Sequence, residues 1–276
     1  MATSHPPMIP LFRKDFPSSK DELAQALDEA LHRLVHKEGS IVEVRSRVFP
    51  YLDEIAINFD GTRFDSLPPA PSAAAEQIKP AFEAAVVTLS AQKISIHGVP
   101  LDLRMEARDV VLHNGTDANG EAMLLMQKVR DGQVTVSVKQ LELEKAIAQI
   151  GAREMGRHGI TLEEVHLAMR ARGPRSLAAD VHVQARKFLL RAKIGISGQI
   201  DIDESFVAKI FLKCKSDGAI GSLACSALDP ILGRLNNKSF SFASVLLGEI
   251  QFRDVRLAVA DTVELTADFG SAPRAT

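Results

Sequence analysis

The chain has 276 residues, 46% of them apolar and 25% charged, with a formal net charge of −2. These are the proportions of a globular protein, and the near-zero charge excludes bulk electrostatic attraction to nucleic acid. Thirteen Phe stand beside one Tyr and no Trp, so stacking platforms for single strands or sugars are thinly supplied. No apolar run reaches about 18 residues, and MATSHPPMIPLFRKDFPSS lacks the apolar core of a leader. The expectation is a cytoplasmic protein, at most peripheral to a membrane.

Residues 1–19 carry Pro6, Pro7, Pro10 and Pro17 and no periodic pattern. They read as a flexible arm whose Met8, Ile9, Leu11 and Phe12 form a short adhesive segment. Ser18 or Ser19 caps a first helix with Asp21 and Glu22 in its first turn, and Leu23, Leu27, Ala30, Leu31, Leu34 and Val35 make its apolar stripe. Gly39 stops it. Alternation predicts strands over Ser40–Phe49 and Tyr51–Phe59, with Asp60-Gly61 a turn. LPPAPS at 67–72 is the best linker, and Ala73–Leu89 reads as a helix started or kinked by Pro80.

Strands are then predicted at Lys93–Ile96, Leu101–Ala107 and Val110–His113, with a loop over His113–Glu121. Ala122–Val129 and Val134–Val138 form a hairpin turned by Asp131-Gly132. A helix carrying Leu143, Ile147, Ile150 and Met155 ends near Gly156–Gly159, and a strand follows at Ile160–Arg170. The longest alternating stretch is Val181–Asp203. Its apolar positions slip phase once, at Arg186–Lys187, which predicts either one long curved strand or two strands joined by a bulge or tight bend. Gly195 and Gly198 relieve crowding where it curls. Asp203-Glu204-Ser205 reads as a helix cap, Phe206–Lys213 as a short segment, and a last helix spans Ile220–Leu235 with Pro230 as a kink. Strands at Phe240–Leu247, Glu249–Val259 and Val263–Phe269 close the chain. The expected organisation is an arm (1–19), one elongated domain (20–270) with a subdivision point near 67–72, and a frayed tail (271–276).

A weak repeat accompanies this order. Arg108-Asp109-Val110-Val111-Leu112 returns as Arg253-Asp254-Val255-Arg256-Leu257, and more loosely as Glu164-Val165-His166-Leu167.

Chemistry-bearing residues are scattered. His32 and His36 have metal-ligand spacing, but RLV between them supplies no acid, and a helix C-terminus favours such a pair on its own. Asp201 and Asp203 share a strand face, yet no nucleophile, GxSxG or phosphate loop accompanies them. Cys214 and Cys225 read as thiols, although a disulfide across this short loop would suit an exported protein. Catalytic residues, metal and cofactor are therefore all assigned as none. The basic residues at Arg170–Arg175 and Arg186–Lys193 are mostly wet strand faces, and together they suggest a patch for anionic lipid headgroups.

Long alternating strands with amphipathic helices resemble the tubular lipid-binding (TULIP-like) superfamily, including the bacterial family of mannan-maturation lipid-binding proteins. Val129–Ile150 (VRDGQVTVSVKQLELEKAIAQI) is similar to that family's strand-then-helix pattern. The run from Ile160 through ISGQIDID (Ile196–Asp203) resembles the meander that follows. The likeness covers roughly residues 90–270. It implies an α+β fold, with a long, strongly curved antiparallel sheet wrapped around amphipathic helices and a groove for acyl chains.

The expected function is non-enzymatic binding or transport of a lipid or other long apolar ligand. The expected lining is Leu143, Ile147, Ile150, Phe188, Leu190, Ile194, Ile196, Leu228, Ile231 and Leu232. Peripheral contact with an anionic membrane is a further expectation. The competing reading is a scaffold with a fully packed core, including a homodimer joined through edge strands.

Overall fold

A computed structural model describes residues 8–62, 76–96, 98–188, 190–236, 238–242 and 249–271. The expected linker at 67–72 and most of the expected tail lie outside them, as do residues 1–7 of the arm. The chain packs as two compact units, residues 1–136, 243–254 and 266–276 in one and residues 137–242 and 255–265 in the other. The single domain expected over 20–270 is thus met by two units, each drawing on the C-terminal strands.

The first unit is built on strands β1 (Met8–Pro10), β2 (Val42–Arg45), β3 (Tyr51–Asn58), β4 (Glu76–Ile96), β5 (Val99–Thr116), β6 (Ala122–Lys139), β12 (Ile250–Val259) and β13 (Thr262–Ser271), the last three continuing into the second unit at 137–139, 255–259 and 262–265. They hydrogen-bond in the order β12-β13-β6-β5-β4-β3-β2, with β1 paired to β6. The sheet is mixed, because β3 runs parallel to β4 from Tyr51↔Glu83 to Asn58↔Ser90. The described part of the arm is tied to the sheet. Met8–Pro10 pairs with Met123–Leu125, and Leu11 is buried.

Helix α1 (Lys20–His32) starts where the sequence places it. Ser19 accepts from the Glu22 N–H, and the Glu22 carboxylate accepts in return from the Ser18 N–H and hydroxyl. Its buried stripe is Leu23, Ala26, Leu27, Ala30 and Leu31. Asp28, on the same helix, accepts from the N–H groups of Ile41 (2.5 Å) and Val42 (3.1 Å) and from the Ser40 hydroxyl (2.9 Å), which fixes the helix to the start of β2. Burial would raise the Asp28 carboxyl. The bonds from Ile41, Ser40 and Val42 and the neighbouring His32 outweigh it and hold the group below its ordinary range.

Three expectations fail in this unit for physical reasons. Ala73–Leu89 is no helix from Glu76 onward but part of the 21-residue strand β4. From Ala84 onward its buried residues Ala84, Val87, Ala91 and Ile94 fall three or four apart, a helical spacing, after a two-residue step from Phe82. Register slips in the β4–β5 ladder, one of them between Ala91 and Ile94, help break the two-residue period. Pro80 sits beyond the stretch paired to β3, so its missing N–H costs no ladder bond on that side. The strand β5 is continuous through Asp109, which takes φ 48°. Asp131-Gly132 does not turn the chain. It lies inside β6, and a Cβ on Gly132 would stand 2.2 Å from the Phe269 ring, so glycine is what lets that ring lie against the backbone.

The second unit holds α2 (Gln140–Gly156), β7 (Thr161–Gly173), β8 (Ser176–Lys187), β9 (Leu190–Ile202), β10 (Val207–Ser216), α3 (Gly218–Asn236) and β11 (Ser239–Ser241). The sheet order is β11-β10-β9-β8-β7, antiparallel throughout. The phase slip in the longest stretch marks a hairpin: Lys187↔Leu190 is the last pair between β8 and β9, and two residues turn the chain. Asp203 caps no helix. It closes the turn from β9 to β10 by accepting from the N–H groups of Ser205 and Val207, 3.0 Å each, and Phe206 takes φ 57°. Those bonds, the Val207 one foremost, and Lys209 hold its carboxyl low.

The repeat has a structural meaning. Its paired apolar positions are buried in all three copies: Val110 and Leu112, Val255 and Leu257, Val165 and Leu167.

Candidate functional site

Each unit carries a markedly apolar cavity among the described residues. In the second unit, α2 offers Ile147, Ile150, Gly151 and Met155, and α3 offers Leu228, Ile231, Leu232 and Leu235. The sheet closes the space with Leu162, Val165, Val181, Val183, Ile196, Ile210 and Leu212, around a volume of about 320 Å³. Alternation along β7 to β10 turns these side chains to one face, and the 3.6-residue period of the helices turns theirs to meet it. Gly198 on β9 has a direct part, because a Cβ there would come within 2.9 Å of Leu212.

Of the ten expected lining residues, Ile147, Ile150, Ile196, Leu228, Ile231 and Leu232 surround this cavity. Ile194 is 2% exposed and belongs to the packed core beside it, and Leu143 packs against the same core. Phe188 and Leu190 are elsewhere. Phe188 opens the β8–β9 turn and Leu190 follows it, and they are 85% and 65% exposed, so they line nothing. Phe188 leaves the sheet in the turn, and Leu190, though in phase with Ala192 and Ile194, stands exposed at the hairpin end of its strand.

Sequence reasoning missed Ile210 and Leu212, although Phe206–Lys213 already alternates. It also missed the cavity of the first unit. There Ile9, Leu27, Ile55, Ile57, Val87, Leu89, Met105, Leu112, Leu124, Met126, Val134, Ile250, Phe252 and Phe269 enclose about 360 Å³. Both volumes fall at the lower end of the range for small-molecule sites.

Cys214 on β10 and Cys225 on α3 form a disulfide, against the expectation of thiols. Sequence gives the eleven-residue separation but not the pairing of this strand with this helix. The bridge ties together two elements that both line the second unit's cavity.

The polar candidates are engaged in structure. Asp201 accepts from the Ser176 hydroxyl at 2.6 Å and from Gln199 at 2.5 Å. The His32 ring nitrogen lies 3.1 Å from the Gly39 carbonyl and 3.4 Å from Asp28. His166 and His182 oppose each other across β7 and β8 on the wet face. Within the suggested basic patch, Arg170 pairs with Asp180, and Arg186 and Arg191 share Glu163. No group of three or more metal-ligating side chains occurs among the described residues, and no helix among them is long and apolar enough to cross a membrane.

Comparison of the chain with protein-family models, with curated proteins and with solved structures finds no match.

Proposed function

We propose that this protein binds, without catalysis, a lipid or other long apolar ligand between the sheet and helices of its second unit. The observation that carries the reading is the 320 Å³ cavity whose named lining side chains are all apolar. Such a site recognises length and apolarity: each buried methylene contributes about 0.8 kcal/mol with no directional partner. In this reading the sheet curves around its helices in the tubular lipid-binding manner, and the first unit's cavity takes the same class of ligand. The disulfide favours an oxidising compartment over the cytosol.

The test is uptake of a fluorescent fatty acid by the intact chain and by Leu232→Trp, which fills the cavity from α3. Saturable uptake that falls in the variant, with an unchanged circular-dichroism spectrum, supports the reading. Absence of uptake by the parent protein defeats it.

A further inference from the structure

The β8–β9 hairpin ends in a way that neither folding nor turn chemistry explains. Two-residue hairpin turns of the favoured kinds need positive φ at their first position, where Gly, Asn or Asp is expected. Phe188 stands there at φ 55°, a strained conformation for a bulky side chain. It gains no burial in return, being 85% exposed, and Leu190 beside it is 65% exposed. Strain and exposed apolar surface at one spot point to a use outside the fold.

The charge around the tip is mainly positive, four cations against one acid. Arg186 and Lys187 precede Phe188, and Arg191 and Lys193 follow Leu190. Glu163 is shared by Arg186 and Arg191, at 3.0 and 3.3 Å, and neutralises one charge of the two. Lys187 and Lys193 have no ion-pair partner among the described residues. An apolar tip with a cationic collar fits one occupant, the interface of an anionic lipid bilayer. There the aromatic ring enters the acyl boundary and the cations meet headgroup phosphates.

We infer that the β8–β9 hairpin tip, through Phe188 and Leu190 with Lys187 and Lys193, is a membrane-insertion finger for anionic bilayers. It extends the lipid-binding reading by giving the second unit a place to meet lipid, yet it stands on the hairpin alone and not on the cavity.

The chain has no tryptophan, so Phe188→Trp makes a single reporter. Full-length Phe188→Trp is mixed with phosphatidylcholine vesicles and with vesicles containing phosphatidylglycerol. The expected result is a blue-shifted emission and co-sedimentation with the anionic vesicles only. Lys187→Ala with Lys193→Ala should weaken adsorption about thirtyfold, at roughly fivefold per surface cation. Phe188→Asn with Leu190→Ser should abolish adsorption while leaving the protein as stable or more so, since asparagine suits the turn. Leu232→Trp should keep full adsorption, which separates failure of the finger from failure of the cavity reading.

An emission unmoved by anionic vesicles overturns the proposal. So does undiminished adsorption of the Phe188→Asn, Leu190→Ser variant. A blue shift in buffer that grows with protein concentration also overturns it, showing a second copy as the occupant.

Discussion

The cavity reading makes a quantitative claim about ligand length. Taking a methylene as about the size of a water molecule, roughly 30 Å³, the 320 Å³ of the second unit holds about ten. The 360 Å³ of the first unit holds about twelve on the same basis. Each methylene transferred from water contributes about 0.8 kcal/mol, or close to fourfold in affinity. Ten give about 8 kcal/mol before the cost of immobilising the ligand, about 4 kcal/mol or more, is subtracted.

The perturbation is therefore the ligand itself, a series of straight-chain fatty acids displacing a fluorescent analogue. Affinity should rise about fourfold per carbon while the chain fits, then level off near ten to twelve carbons as further methylenes remain in water. Leu232→Trp should shorten the length at which the plateau begins. Affinities varying less than about twofold over the whole series would refute the reasoning, because no burial would be occurring. A rise continuing undiminished past sixteen carbons would refute it too, since that requires an open surface.

Three further outcomes follow from the packing. Gly132→Ala should destabilise by about 1–3 kcal/mol in urea unfolding, because the new methyl overlaps the Phe269 ring, and Phe269→Leu in the same chain should recover part of the loss. Asp28→Ala should cost about 1.5–3 kcal/mol by removing a charged acceptor of three bonds. The Asp28 carboxyl is held below its unfolded value, so its contribution is complete at neutral pH and is lost as pH falls through the ordinary carboxylate range to the lower folded value. The variant should accordingly show a shallower acid limb in a stability–pH profile. Reduction of Cys214–Cys225 should lower stability by about 3 kcal/mol, the loop-closure value for its eleven-residue separation, read by thermal unfolding with and without a dithiol.

What could be read from sequence follows the physics of periodicity. The start of helix α1 was legible because its cap, stripe and acidic first turn agree with one another, but the helix ends at His32, short of the Leu34, Val35 and Gly39 expected to complete and stop it. The helices α2 and α3 and the strand β7 were legible from 3.6- and 2-residue periods, and β8 and β9 from the alternation of Val181–Asp203, while β10 was read only as a short segment at Phe206–Lys213. Six of the ten expected lining residues do line the cavity. Where a bulge or hairpin interrupts the period, the reading failed. The strand β4 imitates a helix because its buried residues from Ala84 onward fall three and four apart, and an alanine-rich composition added to the likeness.

Turn chemistry misled twice, in opposite directions. Asp131-Gly132 has a turn's composition but serves the Phe269 ring, while the β8–β9 turn carries Phe188 where turn residues were expected. The disulfide depends on how α3 folds back on β10, and the first unit's cavity on elements far apart in the chain, neither of which a local pattern encodes.

The central claim is that the apolar interior is a site for a ligand. Native mass spectrometry of the freshly purified chain, with organic extraction of the same sample, tests it most directly. The account predicts a stoichiometric mass excess and an extracted lipid or other long-chain compound. A bare polypeptide mass, together with no uptake of a fluorescent fatty acid, would contradict it.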